Sequence, residues 1–132
     1  MAPLGMSLKT FQEMQNDGVF PRELVAGSLD QVLLGLNLLH EASVIHTDLH
    51  ADNLLISLVD DSILAKVEQN EIDTPSPRKQ IDDRILYVSQ YMLGGSGALV
   101  ISDFGQAHIG TEHRGNAMPL PYRAPEVILG MP

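Results

Sequence analysis

Three short stretches concentrate the residue types that can do chemistry. They are His46-Thr47-Asp48-Leu49-His50-Ala51-Asp52-Asn53 with Leu54-Leu55-Ile56 behind it, then Ile101-Ser102-Asp103-Phe104-Gly105, then Tyr122-Arg123-Ala124-Pro125-Glu126. Their working groups are carboxylates and a neutral amide. Such oxygens suit a hard cation such as magnesium, and a carboxylate can also take a proton from a hydroxyl. Taken singly, Asp48, Asp52 and Asn53 are ordinary loop residues. His46 and His50 stand four apart, the spacing that binds zinc on a helix, but the polar run around Leu49 argues for a loop instead. Cysteine is absent, which excludes a disulfide framework, a thiolate zinc site and a thiol nucleophile.

The elements that must hold these stretches can be read from patterning. Ser7 caps a short helix carrying Leu8, Phe11 and Met14 at helical intervals, stopped by Gly18. Pro21 opens a longer helix whose Leu29, Val32, Leu33, Leu36, Leu39 and His40 share one face; it is expected to end near Ala42–Ser43, with His40 in the core at its end. Val44-Ile45 reads as a buried extended pair, and Leu54–Ile56 and Ala98–Ile101 as two short strands forming a hairpin. Between the strands lies an insert, about 57–97, with seven acidic and four basic residues. It carries one amphipathic helix over Asp61–Ile72, is otherwise irregular, and ends in a glycine-rich turn at Gly94-Gly95-Ser96-Gly97. That run lies behind the catalytic-type loop rather than ahead of it, so it is read as a hairpin turn and not as a phosphate cradle. A loop rich in Gly and Pro leads to a short helix near Glu126. The six methionines form no stripe and read as packing.

The chain has 132 residues, 17 acidic and 8 basic, for a formal charge of −9. That argues against a broad nucleic-acid face and against anionic membranes. A hydrophobic share of 44% argues against wholesale disorder. The N-terminus has neither a positive cluster nor a long apolar stretch, so no signal peptide is expected. No run approaches the ~20 residues that cross a bilayer. With no cysteine, the expected setting is intracellular, cytoplasmic or nuclear.

Taken together and in this order, the three stretches resemble the protein kinases, whose catalytic loop reads H-x-D-L-x-x-x-N, whose metal loop reads D-F-G and whose activation segment closes in A-P-E. The resemblance implies an α+β fold: a partial kinase domain over residues 1–132, mainly the α-rich large lobe with a short β-hairpin and without the N-terminal lobe. It implies ATP-dependent transfer to a protein hydroxyl with ATP and Mg2+. Asp48 would accept or orient the hydroxyl proton, Asn53 and Asp103 would bind magnesium, Gly105 would let the loop turn beside the phosphates, Leu55 would floor the adenine, and Arg123 would belong to the substrate-docking segment. Two positions depart from the usual text. Thr47 stands where many kinases carry an Arg that pairs with a phosphorylated activation loop. His50 stands where a Lys usually touches the γ-phosphate.

His-Thr-Asp is a feature of SR-protein kinases, which act on Arg/Ser-rich segments. Pro3-Leu4-Gly5, Gly18-Val19-Phe20-Pro21, Asp60-Asp61-Ser62-Ile63-Leu64 and Pro75-Ser76-Pro77-Arg78-Lys79 resemble their divergent fungal relatives. An acidic surface suits such a basic substrate. Asp48-Leu49-His50-Ala51-Asp52-Asn53 also matches the small-molecule phosphotransferases of the aminoglycoside/choline kinase type, against which stands Pro121–Glu126. A third alternative is a truncated, non-catalytic remnant. On the kinase resemblance the chain starts past the hinge, without a glycine-rich loop or strand Lys, and little turnover is expected from it alone. Part of its apolar surface is expected to stay uncovered.

Overall fold

The computed structural model describes residues 3–88, 92–110 and 117–131. Helix α1 spans Leu8–Glu13 and starts as its sequence requires, with Ser7 Oγ accepting from Thr10 N–H at 3.1 Å. Phe11 meets Phe20 at 5.4 Å between ring centroids, which folds the connecting turn back onto the helix. Helix α2 spans Arg22–Glu41, with Pro21 at its cap rather than inside its first turn. Glu23 lies in the first turn, where the helix dipole favours an acid.

Three antiparallel pairs follow. Strand β1 (Val44–Ile45) pairs with β6 (His108–Ile109), β2 (Leu54–Ile56) with β5 (Leu99–Ile101), and β3 (Arg78–Ile81) with β4 (Arg84–Tyr87). The β2–β5 register sets Leu54 against Ile101, Leu55 against Val100 and Ile56 against Leu99. Among the described residues, Leu54 and Ile56 are the buried apolar side chains. They point to one face of β2, and Leu55 to the other.

Helix α2 lies across β5. A Cβ at Gly35 would come within 2.8 Å of Ile101 Cδ1, so the glycine admits the strand. Gln31 Oε1 accepts from Leu99 N–H at 2.7 Å, tying the helix to the start of β5. Other apolar residues of α2 stay exposed: Leu34 is 73% exposed and Leu38 67%. The sequence expected Leu29 and Leu33 to face inward, yet both are exposed. His40 is likewise exposed rather than core, and Val44 and Ile45 are half-buried. Helical periodicity allowed two apolar stripes on α2, and contact with β5 chose the one containing Val32, Gly35 and Leu39.

The insert is more regular than its composition suggested. Its helix α3 spans Ser62–Asp73, matching the expected range. Asp60 Oδ1 accepts from Ser62 N–H at 2.8 Å, and hydrogen bonds from Ser62 hold the Asp60 carboxyl below its ordinary value. Beyond it, residues read as irregular form the β3–β4 hairpin, reversed at Asp82-Asp83 with Asp82 at φ 53°, a conformation Asp tolerates better than most side chains. The glycine-rich end of the insert is not a reversal. Met6 N–H donates to Gly94 O at 3.2 Å, Gly5 N–H to Ile56 O at 2.8 Å, and Ile56 N–H to Met6 O at 3.0 Å. The N-terminal segment thus crosses the glycines and β2 backbone to backbone. α4 (Pro125–Ile128) closes the chain. None of the described helices is long and apolar enough to cross a membrane.

Candidate functional site

The site is built where β2 meets β5. Asn53 precedes β2 and faces Ser102, which follows β5: Ser102 N–H donates to Asn53 O at 2.9 Å and Ser102 Oγ donates to the same oxygen at 3.1 Å. Asp103 is the next residue, so the strand pairing alone brings the first and second motifs together. The Asn53 side chain is buried, and its Nδ2 donates to Asp48 O at 2.9 Å, with Asp48 Oδ2 at 3.5 Å. This closes the five-residue loop on itself and leaves the amide oxygen as the group that can ligate a cation.

His46 is 3% exposed. One ring nitrogen, Nε2, lies 2.9 Å from Ser102 O, and the other, Nδ1, accepts from Asp48 N–H at 3.3 Å. A carbonyl can only accept, so Nε2 carries the proton. Its ring lies 5.0 Å from that of Phe104. Both nitrogens of His46 therefore work on the backbone flanking the acids. His50 lies between two carboxylates: Nε2 is 3.6 Å from Asp48 Oδ1, and Nδ1 is 3.5 Å from Asp52 Oδ2. It also caps the single 3-10 turn over Ala51–Asn53. Lys9, which sequence reasoning did not single out, reaches Asp52 from α1 at 3.5 Å.

Asp103 adopts a left-handed backbone, φ 60° and ψ 73°, and its Oδ1 accepts from Gly105 N–H at 3.2 Å. A Cβ on Gly105 would stand 3.1 Å from that oxygen, so the glycine leaves room for the carboxylate over the turn. Leu55 sits mid-strand in β2, half-buried, bridged to Ser7.

The third motif is joined through Met118, which the sequence read only as packing and which instead makes specific hydrogen bonds. Met118 N–H donates to Thr47 O at 2.7 Å, Leu49 N–H donates to Met118 Sδ at 3.1 Å, and Met118 O accepts from Arg123 Nε at 3.2 Å and Nη2 at 3.1 Å. Thr47 Oγ1 donates to Gln106 O at 2.6 Å. Asp48 is thus gripped on both sides by Met118, and the guanidinium of Arg123 is turned inward to hold Met118. Thr47 and Met118 are both left-handed, φ 65° and 69°. No local pattern marks Met118. Its role depends on a fold-back from a distant segment.

Among the described residues no group of three or more His, Cys, Asp or Glu could hold a metal ion. The donor set the motifs supply is smaller: the Asn53 amide oxygen and the Asp103 carboxylate, hard oxygens at neighbouring ends of one ladder. These fit a magnesium ion that keeps its remaining ligands from water and phosphate.

The protein kinase domain family matches residues 4–132, and the chain belongs to that family. It is 41% identical to a serine/threonine protein kinase of Aspergillus fumigatus over 98% of its own length and 31% of the relative's. It is 31% identical to the probable serine/threonine-protein kinase clkA of Dictyostelium discoideum over 96% of its length and 13% of that protein. A crystal structure of a kinase domain superposes with a TM-score of 0.62 at 26% identity, covering 97% of this chain and 34% of that one. The chain spans about a third of the length of the fungal relative and of the solved domain.

Proposed function

We propose that this chain carries the catalytic and metal loops of a serine/threonine protein kinase that transfers the γ-phosphoryl group of ATP to a protein hydroxyl. The observation that supports this best is the double use of Asn53: its side chain closes the loop on Asp48 and its backbone oxygen holds Ser102, next to Asp103. Asp48 orients the acceptor hydroxyl and takes its proton. Asn53 and Asp103 hold magnesium, which when bound neutralises charge on the phosphate oxygens. Leu55 offers an apolar surface to the adenine and Gly105 keeps the metal loop clear. His50, whose Nε2 lies 3.6 Å from Asp48 Oδ1, stands beside the acid in place of the cation usual at its position. Arg123 acts by positioning Met118 and the docking segment. The whole corresponds to part of the α-rich large lobe of a kinase.

An SR-kinase-like preference for Arg/Ser-rich substrates is the finer reading, supported by His46-Thr47-Asp48 and by the net charge of −9. Thr47 offers a neutral hydroxyl bond where other kinases place an arginine for a phosphorylated loop, so the activation segment is positioned without a phosphate. The test uses a longer chain that includes a glycine-rich loop and strand Lys, given an Arg/Ser peptide, choline or an aminoglycoside. Transfer to the peptide, lost in Asp48→Ala, is expected; transfer to choline or the aminoglycoside alone would overturn the protein-kinase reading. Calorimetry on the 132-residue chain is expected to show weak Mg-ATP binding, and robust turnover by it would refute the need for the other lobe.

A further inference from the structure

We propose that Ser76, in the insert, is a phosphorylation site for a proline-directed protein kinase, and that its phosphate releases the β3–β4 hairpin from α3. The local sequence is Pro75-Ser76-Pro77-Arg78-Lys79. A proline after the serine biases it to the extended backbone in which kinases bind their substrates, and it removes an N–H that would need an acceptor in the enzyme's groove. Arg78 and Lys79 add the two cations, at the second and third positions, that an acidic substrate groove reads. Thr74-Pro75 lacks a basic residue at either position.

In the structure Ser76 makes two hydrogen bonds to one carboxylate. Its Oγ donates to Glu71 Oε2 at 2.5 Å and its N–H donates to Glu71 Oε1 at 2.8 Å. These bonds leave Ser76 7% exposed and hold the Glu71 carboxyl below its ordinary value. Residues 75–77 have no regular structure, Pro77 O accepts from Val88 N–H at 2.9 Å, and every residue of β3 and β4 is exposed. Opening of this loop is a local event and does not need global unfolding.

Ser76 Oγ forms a bond to the γ-phosphorus of ATP, the bridging β–γ P–O bond breaks, ADP leaves, and the hydroxyl proton passes to the modifying enzyme's base. The product carries about −1.5 to −2 charges at neutral pH and no donor. It cannot return to Glu71, whose carboxylate now repels it, and Arg78 and Lys79 are its nearest cations along the chain. The polar tie between α3 and the hairpin is lost, and the cavity of about 990 Å3 between them, lined by Leu64, Val67, Glu71, Ser76, Tyr87 and Val88, opens.

The experiment incubates the 132-residue chain with a purified cyclin-dependent kinase and ATP, beside a peptide of residues 72–80. One phosphate is expected, mapped by tandem mass spectrometry to Ser76 and absent in Ser76→Ala and Pro77→Ala. Glu71→Gln is expected to be modified several-fold faster than wild type; Glu71→Asp, too short to make both bonds, substitutes if circular dichroism shows Glu71→Gln unfolded. After modification, amide exchange should quicken over residues 62–73 and 78–87 and stay unchanged over 22–41. An unmodified peptide overturns the motif. A modified peptide with an unmodified chain, or phosphate on Thr74 alone, overturns the site. Equal rates for Glu71→Gln and wild type, or unchanged or slower exchange after modification, overturn the release.

Discussion

Substituting Gly5 by Ala is expected to be among the most damaging single-methyl changes in this chain. Gly5 is buried where the N-terminal segment crosses the glycine end of the insert. A Cβ there would lie 2.4 Å from Gly94 O and 2.8 Å from Ile56 O. Both obstacles are backbone, so no side chain can swing away, and three hydrogen bonds of 2.8–3.2 Å run through the same crossing. Relieving the clash forces the strands apart. Overpacking costs roughly 1–3 kcal/mol, and each lost backbone bond about 0.5–1.5 kcal/mol. If one or two bonds go, the total is about 1.5–6 kcal/mol, or on the order of 10 °C in melting temperature for a chain of this size. Two controls separate the causes. Gly18 has φ +66° with nothing within 4 Å, so Gly18→Ala isolates the left-handed penalty of about 1 kcal/mol. Gly27, inside α2 with nothing within 4 Å, should gain about 0.5–1 kcal/mol as Ala. Urea midpoints of the three variants and exchange at the Ile56 amide provide the assay. A Gly5→Ala midpoint equal to wild type, or a larger loss in Gly18→Ala, would refute the close-approach reasoning.

Other outcomes follow from the same geometry. Asn53→Ala leaves Asp48 O without its 2.9 Å donor; a loss of about 1–3 kcal/mol should appear in the urea midpoint together with weaker Mg-ATP binding, and an unchanged midpoint would contradict the loop-closing role. Met118→Leu keeps the volume but removes the acceptor of Leu49 N–H, so the Leu49 amide should lose exchange protection while the Met118 amide, bonded to Thr47 O, keeps it; equal protection of both would show that packing alone holds the segment. Glu71 has its carboxyl lowered from 4.5 by Ser76, so the Ser76–Glu71 tie is complete above pH 4.5 and lost as pH falls through the lowered folded value. The Ser76 amide resonance should follow that titration, and a midpoint above 4.5 would refute it.

Much of the site was legible in the sequence because its parts are local. The Ser7 cap, the run of α2 from Pro21, the paired strands either side of the insert, and helix α3 need only neighbours in the chain to be recognised. The spacing of Asp48, Asn53 and Asp103 was enough to name candidates, and the β2–β5 register supplies the reason they meet. What escaped was set by contacts distant in the chain. Which leucines of α2 turn inward depended on where β5 lies. The β3–β4 hairpin lacked a glycine turn to announce it. Met118 and Gln31 work through groups 68 to 71 positions away along the chain, and methionine or glutamine carries no pattern that says so. The glycines 94–97 were legible as special but not in kind: their smallness serves a crossing of backbones.

Thr47, Asp103 and Met118 all hold left-handed φ values without being glycine. Thr47 and Met118 each cost about 1–2 kcal/mol relative to an ordinary backbone and Asp103 less, so the candidate site stores a few kcal/mol of conformational strain. That energy is supplied by the rest of the fold, through the bonds of Ser102, Gln106 and Arg123. The site is therefore a loaded arrangement: residues that hold Asp48 and Asp103 in position also oppose their relaxation. Loosening any one restraint lets the loops move downhill, so function is expected to fade before the fold melts.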